Sequence, residues 1–347
     1  MKIFTPAQKD ANSFFDEITF HSKNEFVYGN LGDDASSFQI ILIQWPEQLF
    51  NWKEPTDSQL AYLTQEIHKW KQQSKIVYIV HNDKPHLGMT KCFERLYDLI
   101  ESSSDIMLHF GNYSKRKFEN KYLGSKHLIL KHPLYTRSFP YYSKEEARVK
   151  LGIDQTREVM IAPGKIRTLK ERSLVLNSFK KIKNSNRTLI VPNMFWKTLP
   201  IEFVGRHKLK SIFDVKKWIE KLINGSYKLP SYLIHYRYLK AKQMALYIAA
   251  SDVIFIPRIQ ILNSGNFYLG LTFKKIIVGP EVGNLTEMLK EFDFPMFQTN
   301  TSSSVINALE NAFELSANVE EIYKNNNTEA YQAQNIALNL DLILENG

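Results

Sequence analysis

Three cations follow one another closely at Lys165, Arg167 and Lys170, just past the apolar run Glu158–Ala162 and the turn Pro163-Gly164. Cations held at the end of a buried strand suit a phosphate. Arginine clamps it in bidentate fashion, and lysine acts as a point charge. If that phosphate is a leaving group, fixed positive charge stabilises the negative charge that develops as its bond breaks. A solvated basic loop would use the same residue types. A second candidate is the polar knot Asn263-Ser264-Gly265-Asn266, set between the strand ending at Ile256 and an apolar run that reads as a helix. Free backbone N–H groups at a helix start attract anions, and a small residue such as Gly265 lets an anion approach. Asn and Ser are also ordinary helix caps, so both readings stay open here.

Other polar residues fall where strand-like runs end. His81 and Asn82 follow Lys75–Val80, and a histidine there can hydrogen-bond a hydroxyl or relay a proton. Gln44, Trp45 and Glu47 follow Ile40–Ile43, and an indole beside polar groups suits stacking on a sugar face. His109 ends the run Asp105–His109 and is a further candidate for substrate contact, and His132 precedes Pro133 as a hinge candidate. Each of these is equally compatible with packing. No His-x-x-x-His or Asp-x-Asp spacing is present, so no metal is expected.

The elements that must position these residues alternate. Apolar runs at 40–43, 75–80, 105–109 and 127–130 are separated by helical periodicity at 58–72, 92–102 and 114–122. The alternation restarts with strands at 158–162, 188–191, 232–235 and 252–256, and with helices at 173–182, 215–223 and 240–250. A helix at 303–316 follows them. Such alternation implies parallel sheets covered on both faces. Between the halves, 133–143 is rich in Pro, Tyr and Ser without periodicity, and Ser143 caps a helix that stops at Gly152. The expected division is residues 1–140, 141–325 and a helical segment 326–347 crossing back to the first half. Ligands of open parallel sheets bind beyond the carboxyl ends of the strands, so two such domains would hold a cleft between them.

At 347 residues, two domains are the natural size, and 44% apolar content argues against disorder. The single Cys92 excludes a disulfide framework and a cysteine zinc site. The N-terminus has no apolar signal region, and no run approaches the roughly 18 apolar residues of a membrane span, so a cytoplasmic protein is expected. Charge is uneven: residues 101–250 hold 30 Lys and Arg against 11 Asp and Glu, whereas 301–347 carry one Lys against seven acids. A basic middle points to an anionic partner such as phosphate or an anionic membrane face. No RNA-binding aromatic motif accompanies it, so nucleic acid is not expected.

In order and spacing, several stretches resemble glycosyltransferases of the GT-B fold, close to glycosyltransferase family 4. They are IQWPEQLF (43–50), IVHNDKPH (79–86), KHPLY (131–135), SKEEARVKLGI (143–153), APGKIRTLKE (162–171), AASDVIFIP (249–257) and NSGNFYLGLTFKKIIVGPEVGNLTEML (263–289). The resemblance covers nearly the whole chain. It implies two Rossmann-like domains and transfer of a sugar from a UDP- or GDP-sugar to a glycan or lipid-linked acceptor, in surface polysaccharide synthesis, without a metal or other cofactor. It implies donor contacts at Lys165, Arg167, Lys170, Asn263, Ser264, Gly265, Asn266 and Glu281. Acceptor-side contacts fall at Asn12, Ser13, Trp45, Glu47, His81, Asn82 and His109, with Arg167, Lys170 and His81 in catalytic roles. Two departures stand out. The family's pair of donor-binding glutamates falls on Ile261 and Leu269, which leaves the retaining outcome open, and the first strand leads into TPAQKDANSF instead of a glycine-rich loop. An epimerase of the same fold, or a sugar-binding homologue without catalysis, is the alternative. Lys115, Arg116 and Lys117 are the expected docking point for a peripheral membrane contact.

Overall fold

A computed structural model describes residues 1–9, 12–85, 88–198 and 215–346, so Asp10, Ala11, His86 and Leu87 lie outside the described residues. The first half runs β1 (Lys2–Thr5), α1 (Ser13–His21), β2 (Glu25–Tyr28), β3 (Ile40–Ile43), α2 (Asp57–Trp70), β4 (Lys75–Ile79), α3 (Lys91–Ser103), β5 (Ile106–His109), α4 (Asn112–Glu119) and β6 (Lys126–Ile129). The second runs α5 (Lys144–Leu151), β7 (Glu158–Ile161), α6 (Leu169–Lys181), β8 (Arg187–Val191), α7 (Val215–Gly225), β9 (Tyr232–Ile234), α8 (Ala241–Ala250) and β10 (Val253–Phe255). It continues through α9 (Gly265–Thr272), β11 (Ile276–Pro280), α10 (Leu285–Glu291), β12 (Met296–Phe297), α11 (Ser302–Ser316), α12 (Val319–Asn325) and α13 (Ala333–Asn346).

These strands form two six-stranded sheets, β2-β1-β3-β4-β5-β6 and β12-β11-β10-β7-β8-β9, and every pairing is parallel. The central strands read as unbroken apolar runs because helices cover both faces: all four residues of β3 are buried, as are all of β11. In each sheet the chain builds outward from one strand and then returns to its other side. The reversals lie between β1 and β3 and between β7 and β10. At such a point the flanking loops diverge and leave a crevice past the strand ends.

Local signals set the helix starts. Thr168 caps α6 by accepting from Glu171 N, so this helix begins four residues before the periodicity alone suggests. Thr56 and Gln59 form a capping box on α2, and Gly152, with φ of +66°, ends α5.

Polar struts fix one half against the other. The fully buried Glu17 of α1 accepts from the backbone N–H groups of Arg137 and Ser138, at 2.9 and 2.8 Å, which ties down the connecting segment. Asn284 exchanges hydrogen bonds with Ser114 of α4, and Glu287 pairs with Arg116 at 3.1 Å. The last helix, α13, packs along α1, where its Asp341 accepts from Lys23 N and Asn24 Nδ2.

Candidate functional site

A cavity of about 1360 Å³ opens between the halves, lined from both. Its second-domain wall lies at the β7/β10 reversal. Gly164, at φ +82°, turns the chain after β7, and a side chain there would press on the Asn266 amide. Lys165 and Arg167 follow and line the cavity. From the neighbouring strand β10 comes Arg258. Its Nε donates to Glu171 Oε1 at 3.0 Å, and one of its terminal nitrogens donates to the Lys165 carbonyl. Glu171 in turn accepts from Arg167 N at 2.6 Å. A single carboxylate therefore orders two guanidinium-bearing loops. Burial holds the Arg167 guanidinium below its ordinary pKa, the nearby Arg258 charge adds to this, and Glu171 opposes it.

Helix α9 points its start into the same cavity. Ser264 occupies the N-cap position, is buried, and makes no side-chain cap hydrogen bond. The first backbone N–H groups of α9 are thus not satisfied by that side chain, and they carry the positive end of the helix dipole. The two asparagines of the knot have other work. Asn263 Nδ2 donates to the Val80 and His81 carbonyls, at 3.2 and 2.7 Å, while its Oδ1 accepts from Asn284. Asn266 Nδ2 donates to the Pro163 carbonyl. Their amides hold loops in place, and both residues line the cavity beside Ser264 and the Gly265 backbone.

The first-domain wall sits at the β1/β3 reversal and is of another kind. Asn12 caps α1 through Phe15 N and donates to Gln44 Oε1 at 2.7 Å, which ties together the two loops that flank the reversal. Ser13 lies beside it on the wall. The His81 imidazole stacks on Trp45, with centroids 3.8 Å apart and planes 15° apart, and Phe14 and Phe110 meet it at steep angles. Asn82 continues this wall.

Four expected contacts lie outside the cavity lining. Lys170 is exposed on the first turn of α6, past the cap that turns Lys165 and Arg167 inward, and does not line it. Arg258 supplies the further cation there. Glu281 is exposed where β11 hands over to the next loop, and its N–H bonds the Phe297 carbonyl. Glu47 is buried behind the wall and accepts from Tyr97 Oη at 2.9 Å. His109 is buried beside His127. His127 Nε2 must donate to the Tyr122 carbonyl, so its Nδ1 accepts from His109 Nε2 at 2.9 Å. Burial, with the neighbouring His127, pulls the His109 pKa down to about 3, so it packs as a neutral ring.

The basic run of α4 is also committed within the chain. Lys115 meets Glu119, Arg116 meets Glu287 and Lys117 meets Asp83. Arg258 and Glu171 escaped the sequence reading, although Arg258 lies three residues past the last residue of β10 at the reversal, where a ligand contact is expected. Ile261 and Leu269 do line the cavity, so the wall is apolar where the resemblance implies carboxylates. Among the described residues no group of three or more His, Cys, Asp or Glu gathers as a metal site, and no helix is long and apolar enough to cross a membrane.

No family model and no curated protein sequence matches the chain. Solved structures do match it. HepE from Anabaena, in complex with UDP, aligns at 10% identity with a TM-score of 0.66 over the whole of both chains. A glycosyltransferase from Rickettsia africae aligns at 10% identity and a TM-score of 0.61, over 99% of this chain and 97% of that one. Sucrose-phosphate synthase from Thermosynechococcus elongatus aligns at 12% identity and 0.59, over 89% of this chain and 73% of its own. At such identities the likeness is one of fold, and the architecture is GT-B.

Proposed function

We propose that this protein is a glycosyltransferase that moves a sugar from a nucleotide-sugar donor to a hydroxyl-bearing acceptor. The observation that carries the reading is the meeting of the α9 start with Lys165, Arg167 and Arg258 in one cavity, facing a wall that includes Asn12, Ser13, Trp45 and His81. Backbone N–H groups and fixed cations are what a diphosphate needs, and a stacked aromatic wall is what a sugar-bearing acceptor needs. UDP in the HepE complex supports a uridine or related donor, by likeness of fold.

In the proposed reaction the acceptor oxygen bonds to the donor's anomeric carbon while the bond from that carbon to the diphosphate breaks. The bonding pair leaves on the diphosphate oxygen, and the acceptor proton passes to that leaving group. Arg167, Arg258 and Lys165 stabilise the charge as it develops, in a site already arranged for it. We assign the charge stabilisation to these side chains without a metal. His81 and Asn82 are assigned to acceptor hydroxyls, and retention of configuration belongs to the same proposal. A place within glycosyltransferase family 4, and a glycan or glycolipid acceptor in surface polysaccharide synthesis, complete it. A peripheral contact of the α4 cations Lys115, Arg116 and Lys117 with an anionic membrane face belongs to the same proposal.

The test is release of nucleoside diphosphate from a panel of nucleotide sugars with and without acceptor glycans, run with and without a chelator. Acceptor-dependent release that survives chelation is expected. Release without acceptor would point to hydrolysis or epimerisation, and the absence of thermal stabilisation by UDP or GDP would remove the diphosphate site.

A further inference from the structure

We propose that Tyr135 contacts the donor diphosphate and that His132, behind it, takes up a proton as the diphosphate binds. This rests on the diphosphate reading above and adds to it a residue pair from the segment that joins the two domains.

The hydrogen positions follow from the partners. His132 Nδ1 lies 2.7 Å from the Pro133 carbonyl, which only accepts, so Nδ1 carries the hydrogen and Nε2 presents a lone pair. Tyr135 Oη lies 3.2 Å from that Nε2, so the phenol donates to it. The imidazole is held in this orientation. It stacks on Tyr268 at 3.9 Å and 6°, and the Phe14 and Phe110 rings lie against it at 4.7 and 5.4 Å. Burial pulls its pKa down to about 3.

The phenol is placed just as firmly. Tyr135 N donates to Thr272 Oγ1 at 2.9 Å, and that hydroxyl donates to the Tyr268 carbonyl, so the linker is tied to α9 itself. A Cβ on Gly265 would stand only 3.0 Å from Tyr135 Oη. The hydroxyl therefore borders the first residue of α9, where the helix draws an anion, and both Tyr135 and His132 line the cavity.

A phosphate oxygen arriving there meets a phenol whose hydrogen points the other way. To donate to the phosphate, the hydrogen must swing off His132. That leaves a buried acceptor without a donor, which is unfavourable. Protonation of Nε2 removes the cost, because the imidazolium then donates to Tyr135 Oη while Tyr135 donates to the phosphate. The bound anion offsets the desolvation that keeps His132 neutral. The titratable groups against His132 are Tyr135 and Tyr268. Glu17 acts on Tyr135, Glu291 and Tyr331 act on Tyr268, and His81 lies beyond Phe14 and Phe110. Because binding consumes a proton, affinity must fall as pH rises through the range of uptake.

Calorimetric titration of the full chain with UDP-glucose and, in parallel, a GDP-sugar, whose diphosphate diesters have no group titrating near neutral pH, tests this at neutral pH in two buffers of different ionisation enthalpy. The expected result is net proton uptake on binding. Tyr135→Phe keeps the ring but is expected to bind about tenfold more weakly and to lose the uptake. His132→Gln is expected to bind without uptake. Nucleotide binding with no proton uptake by the unaltered protein overturns the proposal whether or not either variant folds, and leaves the diphosphate site standing. Binding of neither nucleotide overturns both.

Discussion

The two walls of the cavity occupy equivalent places, each at the reversal of a parallel sheet, yet they are built from opposite chemistry. The second-domain wall concentrates charge: Lys165, Arg167 and Arg258 around one carboxylate, beside the start of α9. The first-domain wall is mainly aromatic, its imidazole stacked on indole with two phenyl rings edge-on to it, and it is bordered by the amides of Asn12 and Asn82, by Lys84 and by Asp83, which pairs with Lys117. One topology thus supplies two crevices, and the residues placed just past the strands decide whether a crevice handles charge or a neutral polyol. The struts through Asn263 and Asn284 hold the two at a fixed separation.

Loss of charge from the second-domain wall has the largest expected effect. Arg258→Ala is expected to lower turnover by about 10²–10³-fold, the scale of losing one preorganised group at a developing charge. Steady-state rates check this, and a loss below about tenfold would assign the leaving-group role elsewhere. Gly265→Val comes next. Its side chain meets the Tyr135 hydroxyl and crowds the α9 start, so UDP or GDP affinity should fall by at least about tenfold while the melting temperature stays near that of the parent.

On the other wall, Trp45→Ala should raise the acceptor KM by about tenfold, the worth of a stacked ring and its buried area. It should leave nucleotide affinity unchanged. An equal loss of nucleotide affinity would mean that the walls do not divide the substrates. The smallest effect is expected at Lys170→Ala: an exposed residue off the cavity should change turnover by less than about twofold. A large loss there would return Lys170 to the charged wall and remove Arg258 as its replacement.

The order of residues alone dictated the alternation of strands and helices, because buried parallel strands are apolar along most of their length and so stand out at 40–43, 75–80 and 276–278. It also marked the turns past those strands where Lys165, Arg167, Ser264 and His81 sit, since caps and glycines write themselves into local sequence. What it could not reach were choices made across distance. Arg258 belongs with Lys165 only because β10 lies beside β7, 93 residues away in the chain. Glu47 and His109 have side chains that could have faced a ligand, and each instead satisfies a partner from another element, whereas Asn263 and Asn266 line the cavity and also tie loops together. Most buried polar groups are hydrogen-bonded, and which partner satisfies each is settled only when the elements pack.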